Sequence, residues 1–145
     1  MKTTIATLLM FAAAGVYAQA TPAGLWKTID DETKKERSQV RVVDNGGTLS
    51  ARIEKLLDPT KQDSKCDKCS DERKDKPVIG MEIVRGVRQS TEDKAVWEGG
   101  EILDPNNGKV YKVRMKPMDG GQSLEVRGYI GAPLFGRTQT WLRVE

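Results

Sequence analysis

The chain has 145 residues, 31% of them charged, and its 24 Lys and Arg against 21 Asp and Glu leave a formal net charge of +3. Basic and acidic residues are interspersed without an isolated basic block, which argues against a nucleic-acid-binding protein. There is no histidine, which excludes Ser-His-Asp and Cys-His catalysis and every histidine-containing zinc site.

The first twenty residues, MKTTIATLLMFAAAGVYAQA, join Lys2 to an apolar stretch from Ile5 to Val16 and end in small residues. That order is a secretory signal peptide, with cleavage expected after Ala18 or after Ala20. The apolar stretch is short for a membrane span, which needs about 20 apolar residues. No cysteine lies near the cut to carry a lipid, and no later segment is apolar enough to span a bilayer. The expectation is an exported protein, periplasmic or secreted, with residues 1–20 as leader and 21–145 as one domain.

The remainder reads as short alternating segments separated by Gly, Asn and Asp. GLWKTID (24–30) comes first, then a charged turn, then RSQVRVV with Val40 and Val42 on one face. The Asp44–Gly47 turn, DNGG, is a hairpin signal. TLSARIEKL follows, with Leu49, Ala51 and Ile53 sharing a face. A long polar loop ends near Pro77, and VIGMEIVRGV then places Ile79, Met81 and Ile83 together. AVWEGGEIL leads to the tight turn DPNNG (104–108), which lacks the spacing and terminal Glu of a calcium loop. KVYKVRMK has the cleanest alternation, Tyr111, Val113 and Met115 against Lys112, Arg114 and Lys116. QSLEVRGYI aligns Leu124, Val126 and Ile130, and after GAPLFG the chain ends in RTQTWLRV.

These are eight strand candidates with hairpin-like connections and no amphipathic helix. Short connections make sequential strands antiparallel. The expected fold is an all-β, eight-stranded up-and-down barrel, which removes exposed edges; a β-sandwich is the alternative. Such an interior is filled by side chains or holds one small ligand.

The only cysteines, Cys66 and Cys69, stand in the long loop as CDKC. Three readings are open: a local disulfide, a reactive thiol pair, or part of a metal site. Export favours the disulfide. A thioredoxin-type pair needs a helix N-terminus in an α/β frame, and zinc needs about four ligands in a chain without histidine. Neither a metal nor a cofactor is expected.

Gly24-Leu25-Trp26 on the first strand and Arg143 two residues beyond Trp141 on the last resemble the lipocalin, or calycin, pattern. The resemblance implies that Trp26 closes the barrel base under the Arg143 guanidinium, a cation–π contact. DKPVIGMEI, WEGGEILDPNNGKVYK and VRGYIGAPLFGRTQTWLRV, with the CxxC before the first of them, are similar to a family of secreted bacterial proteins. That family has a lipocalin-like barrel and is known only as a domain of unknown function. The resemblance covers the mature chain and implies fold and export, while function is not implied by fold.

Arg137, Gln139, Trp141 and Arg143 share one face of the last strand. If Arg143 reaches Trp26, that face points inward. Trp97, Tyr111, Arg137, Gln139 and Trp141 are then candidate lining for a small lipophilic or amphipathic ligand, with Arg137 placed to meet an anionic head group at the barrel mouth. Arg127, opposite in parity to Val126, is expected outside. Catalysis is not expected: Glu98 and Glu101, three apart on a strand, fall on opposite faces, and Gly99-Gly100 reads as a bulge. The competing reading is an interaction protein of the cell envelope or a host surface, with a side-chain-filled barrel and the charged 58–77 loop as its contact surface.

Overall fold

The alternation of apolar and polar residues closes into a barrel. The structure, a computed structural model, describes residues 20–145; the expected leader lies outside these residues apart from Ala20. Eight strands follow in chain order: β1 (Gly24–Ile29), β2 (Glu36–Asn45), β3 (Thr48–Leu56), β4 (Glu82–Gln89), β5 (Trp97–Asp104), β6 (Lys109–Met118), β7 (Ser123–Tyr129) and β8 (Gly136–Arg143). Each is antiparallel to its neighbour, and β1 pairs with β8 through Trp26 with Arg143 and Lys27 with Leu142. That closing pair decides for a barrel against a sandwich.

The period of two explains which residues go inside. On β6, Val113 and Met115 are fully buried while Lys112, Arg114 and Lys116 are exposed. Trp26, Val40, Val84, Val87 and Leu124 are likewise completely buried, and burial of each such side chain contributes about 1.5–3 kcal/mol. Thr28 and Ser38, buried polar partners on β1 and β2, satisfy each other by a hydroxyl hydrogen bond of 2.6 Å.

Three expectations are corrected. β4 begins at Glu82, so Ile79 and Met81 precede it. A turn through Gly80, with Met81 N–H donating to Val78 O, leaves Ile79 exposed and Met81 buried. Ile130 lies past the end of β7 and is 62% exposed. Glu98 and Glu101 do not fall on opposite faces. The register shifts between Trp97 and Gly100, both of which are buried, and the extra residue turns both carboxylates outward.

The 57–81 loop packs against the outside of the wall. Leu103 and Val110 are cross-strand neighbours on the outer face, yet Leu103 is 2% exposed and Val110 39%. The cover is the loop: the Cys66 and Cys69 side chains are buried in one cluster with Leu103 and Val78. The Lys68 carbonyl sits so close to Gly108 that a Cβ there would overlap it. Cys66 and Cys69 form a disulfide. Arg73, 7% exposed, holds Asp71 by 3.1 and 2.5 Å bonds and donates to Glu82 O at 2.9 Å, tying the loop to the start of β4. No helix among the described residues is long and apolar enough to cross a membrane.

Candidate functional site

In a meander, alternate hairpins collect at the same end. The turns at 30–35, 57–81, 105–108 and 130–135 form one end; the turns at 46–47, 90–96 and 119–122 and both described termini form the other.

The terminal end is sealed. Trp26 is buried, its indole N–H donates to Pro22 O at 2.7 Å, and the Arg143 guanidinium lies 4.2 Å from the ring centroid. Arg143 also donates to three carbonyls, Gly121 at 2.5 Å, Ala23 at 3.0 Å and Thr21 at 3.2 Å. Its hydrogen bonds satisfy backbone groups that the strands leave over, while its charge rests on an aromatic face. Gly24 has φ +134, and a Cβ there would overlap the Arg143 guanidinium, which explains why glycine precedes the Leu-Trp pair.

The other end differs. With Arg143 over Trp26, the alternation of β8 sends Trp141, Gln139 and Arg137 to the same face. Trp141 is 1% exposed, Gln139 half-buried and Arg137 exposed. The Trp141 indole donates to Gln139 Oε1 at 3.2 Å. Arg137 reaches Asp31 on the β1–β2 turn, with Nε to Oδ2 at 3.0 Å and Nη2 to Oδ1 at 2.5 Å. This pair holds the Asp31 carboxyl below its ordinary range, chiefly through the guanidinium hydrogen bond. Neighbouring Asp30 is drawn down to about 2, first by the Thr33 backbone N–H and further by the Thr33 hydroxyl and Arg37. Tyr111 is half-buried, its hydroxyl accepting from Asn107 at 3.0 Å.

The five candidate lining residues therefore occupy different depths. Trp97 and Trp141 are closed into the core with Met115, Val113 and Leu124, so they fill the barrel. Tyr111, Gln139 and Arg137 stand at the open end with half-buried Ile102 and Gly128. Two open grooves, of about 300 and 370 Å³, lie outside the barrel, and none of the five candidates lines either. The larger runs beside the disulfide loop, along Arg52, Arg73, Pro77, Ile79, Met81 and Arg85. Glu98 is ion-paired to Arg114 at 3.1 Å on the outer wall. Among the described residues, no cluster of three or more Cys, Asp and Glu could hold a metal ion.

Sequence reasoning passed over the 130–135 turn, treating it as an irregular connection. There Ile130, Leu134 and Phe135 are 62, 79 and 70% exposed. The signal was the apolar pair Leu134-Phe135 between glycines, in a position where turns are ordinarily polar.

Residues 24–143 match the family model described as "Uncharacterized protein conserved in bacteria (DUF2147)". No curated protein matches the chain. Among solved structures, protein HP1028 from the human pathogen Helicobacter pylori, described as belonging to the lipocalin family, superposes with a TM-score of 0.75. It is 21% identical, over 88% of this chain and 85% of that one.

Proposed function

The chain belongs to the DUF2147 family of uncharacterised bacterial proteins, and from that premise we propose that it is an exported, non-enzymatic protein that binds a small amphipathic or lipophilic molecule at the open end of its barrel. The observation that carries this reading is the gradient of burial along one inward face. Trp141 is fully packed, Gln139 half-buried, and Arg137 exposed at the rim. The tryptophan-filled lower barrel limits the ligand to a shallow seat. Apolar contact would come from Tyr111, Ile102 and Ile130, and an anionic head group would compete with Asp31 for Arg137.

Export is supported by the leader pattern and by the Cys66–Cys69 disulfide, a bond typical of oxidising compartments. A binding role without catalysis is supported by the carboxylates. Asp30 and Asp31 are held charged by hydrogen bonds and arginines, whereas a general acid or base works best with a pKa near the operating pH.

Native mass spectrometry of protein recovered from its exported compartment tests the reading. The expected result is a bound small molecule, lost from an Arg137→Ala/Gln139→Ala variant that folds normally. Ligand-free protein that also fails to bind an added amphipathic fluorophore at the mouth would sink it. The second reading, a protein-interaction role, is favoured by one observation, the groove beside the disulfide loop. Substitution of exposed Arg52 and Ile79 would then abolish partner capture without touching small-molecule binding.

A further inference from the structure

The 130–135 turn is built to present apolar side chains, and we propose that it docks the open end of the barrel on an anionic lipid bilayer. Scattered exposed apolar residues are ordinary on a protein surface, but a contiguous group needs an explanation. Here Ile130, Leu134 and Phe135 are grouped in one turn, and much of its backbone polarity is taken up from within. Arg127 donates to Pro133 O at 2.5 Å and to Leu134 O at 3.3 Å. Phe135 N–H donates to Ala132 O, and Ile130 N–H to Phe135 O. A turn entering the acyl region must carry few unsatisfied backbone groups, because lipid offers them no partner. Six backbone groups of this turn are satisfied in that way while its largest apolar side chains are exposed.

The surroundings fit the same occupant. Tyr129, cross-strand from exposed Lys112, sits on the outer face at the edge of the turn. Amphipathic aromatic residues favour the head-group level of a membrane. Residues 109–144, which build β6, β7, β8 and the turn, carry seven basic and two acidic residues, a local net charge of +5 where the whole chain has +3, and of these basic residues Lys109 and Lys112 are exposed towards the open end. Long basic side chains beside an inserted apolar tip reach anionic head groups while their stems cover the acyl boundary. This docking does not depend on a ligand in the mouth.

The test uses the mature exported chain and two vesicle preparations, phosphatidylcholine alone and phosphatidylcholine mixed with phosphatidylglycerol. Sedimentation should show binding to the mixed vesicles, weakened by salt and reduced about tenfold or more in the Leu134→Ser/Phe135→Ser variant. A Phe135→Trp variant gives a direct reading of depth. Trp26, Trp97 and Trp141 are at most 6% exposed, so quenching by brominated acyl chains should be confined to the new indole. Absence of that quenching, or vesicle binding unchanged in the double serine variant, overturns the proposal.

Discussion

Arg143 and Arg137 stand on the same face of β8, six residues apart, and the two ends of the barrel differ by what surrounds them. Arg143 is held by three carbonyls and an indole face, with no carboxylate partner among the described residues. Arg137, its side chain 61% exposed, is held by a carboxylate of the β1–β2 turn, Asp31. The contrast is one of exchangeability. Carbonyls fixed in the backbone at a buried base cannot be traded for a ligand, whereas the carboxylate partner of an exposed guanidinium can be displaced by another anion. The same residue type therefore closes one end of the barrel and leaves the other open to recognition.

The largest expected effect tests the base. Trp26→Ala removes the most deeply packed aromatic side chain of β1 and should cost about 3–5 kcal/mol in chemical denaturation. Arg143→Met, which keeps much of the stem but abandons the Gly121, Ala23 and Thr21 carbonyls, should cost about 2–3 kcal/mol. If both losses stayed below about 1 kcal/mol, a surface-like value, the base would not be the sealed end of the molecule.

How far this asymmetry could be read in advance depended on the kind of signal. Strict alternation on β6 and hairpin turns such as DNGG made the strand count and the barrel legible, since period two and turn chemistry are local properties. Two features escaped. The outward burial of Leu103 depends on a loop some forty residues earlier folding back over it, a tertiary event with no local pattern. The direction of Glu98 and Glu101 depended on counting the bulge residue at Gly99-Gly100: the bulge was anticipated, but its one-residue shift of the faces was not carried through. At the candidate site, parity along β8 was readable once Arg143 was tied to Trp26. Depth was not, so Trp97 and Trp141 were expected to line space that they fill.

The disulfide loop stands between the two ends in expected effect. Replacing Cys66 and Cys69 with Ala should cost about 2 kcal/mol by the loop-entropy estimate. Hydrogen exchange should rise across residues 57–81 and around Leu103 while the base keeps its protection. Uniform loss of protection would mean that the loop and the base unfold as one unit. Acid should act on the same half of the molecule. Asp30 and Asp71 are both lowered to about 2, Asp71 mainly by the Arg73 hydrogen bond, against about 3.9 in an unfolded chain. Their folded-state pKa values are depressed, so their contribution is present above about pH 4 and disappears as pH falls towards about 2. Exchange at 30–35 and 57–81 should therefore increase in that window before the base responds.

The smallest change in stability should accompany the most specific change in function. The Arg137 guanidinium side of the pair with Asp31 faces solvent, and ion pairs exposed in this way contribute about 0–1 kcal/mol. Arg137→Ala should thus leave the denaturation midpoint nearly unchanged. Binding of an anionic amphipath at the mouth should fall, because the guanidinium that would meet its head group is gone. Asp31→Asn sharpens the point from the other side. It removes the internal competitor while leaving Arg137 charged, so anionic amphipaths should bind more tightly and neutral ones should not. A ligand panel titrated against both variants gives opposite shifts if Arg137 recognises the head group. Parallel shifts would assign the pair to holding the β1–β2 turn alone, and the mouth would then be as structural as the base.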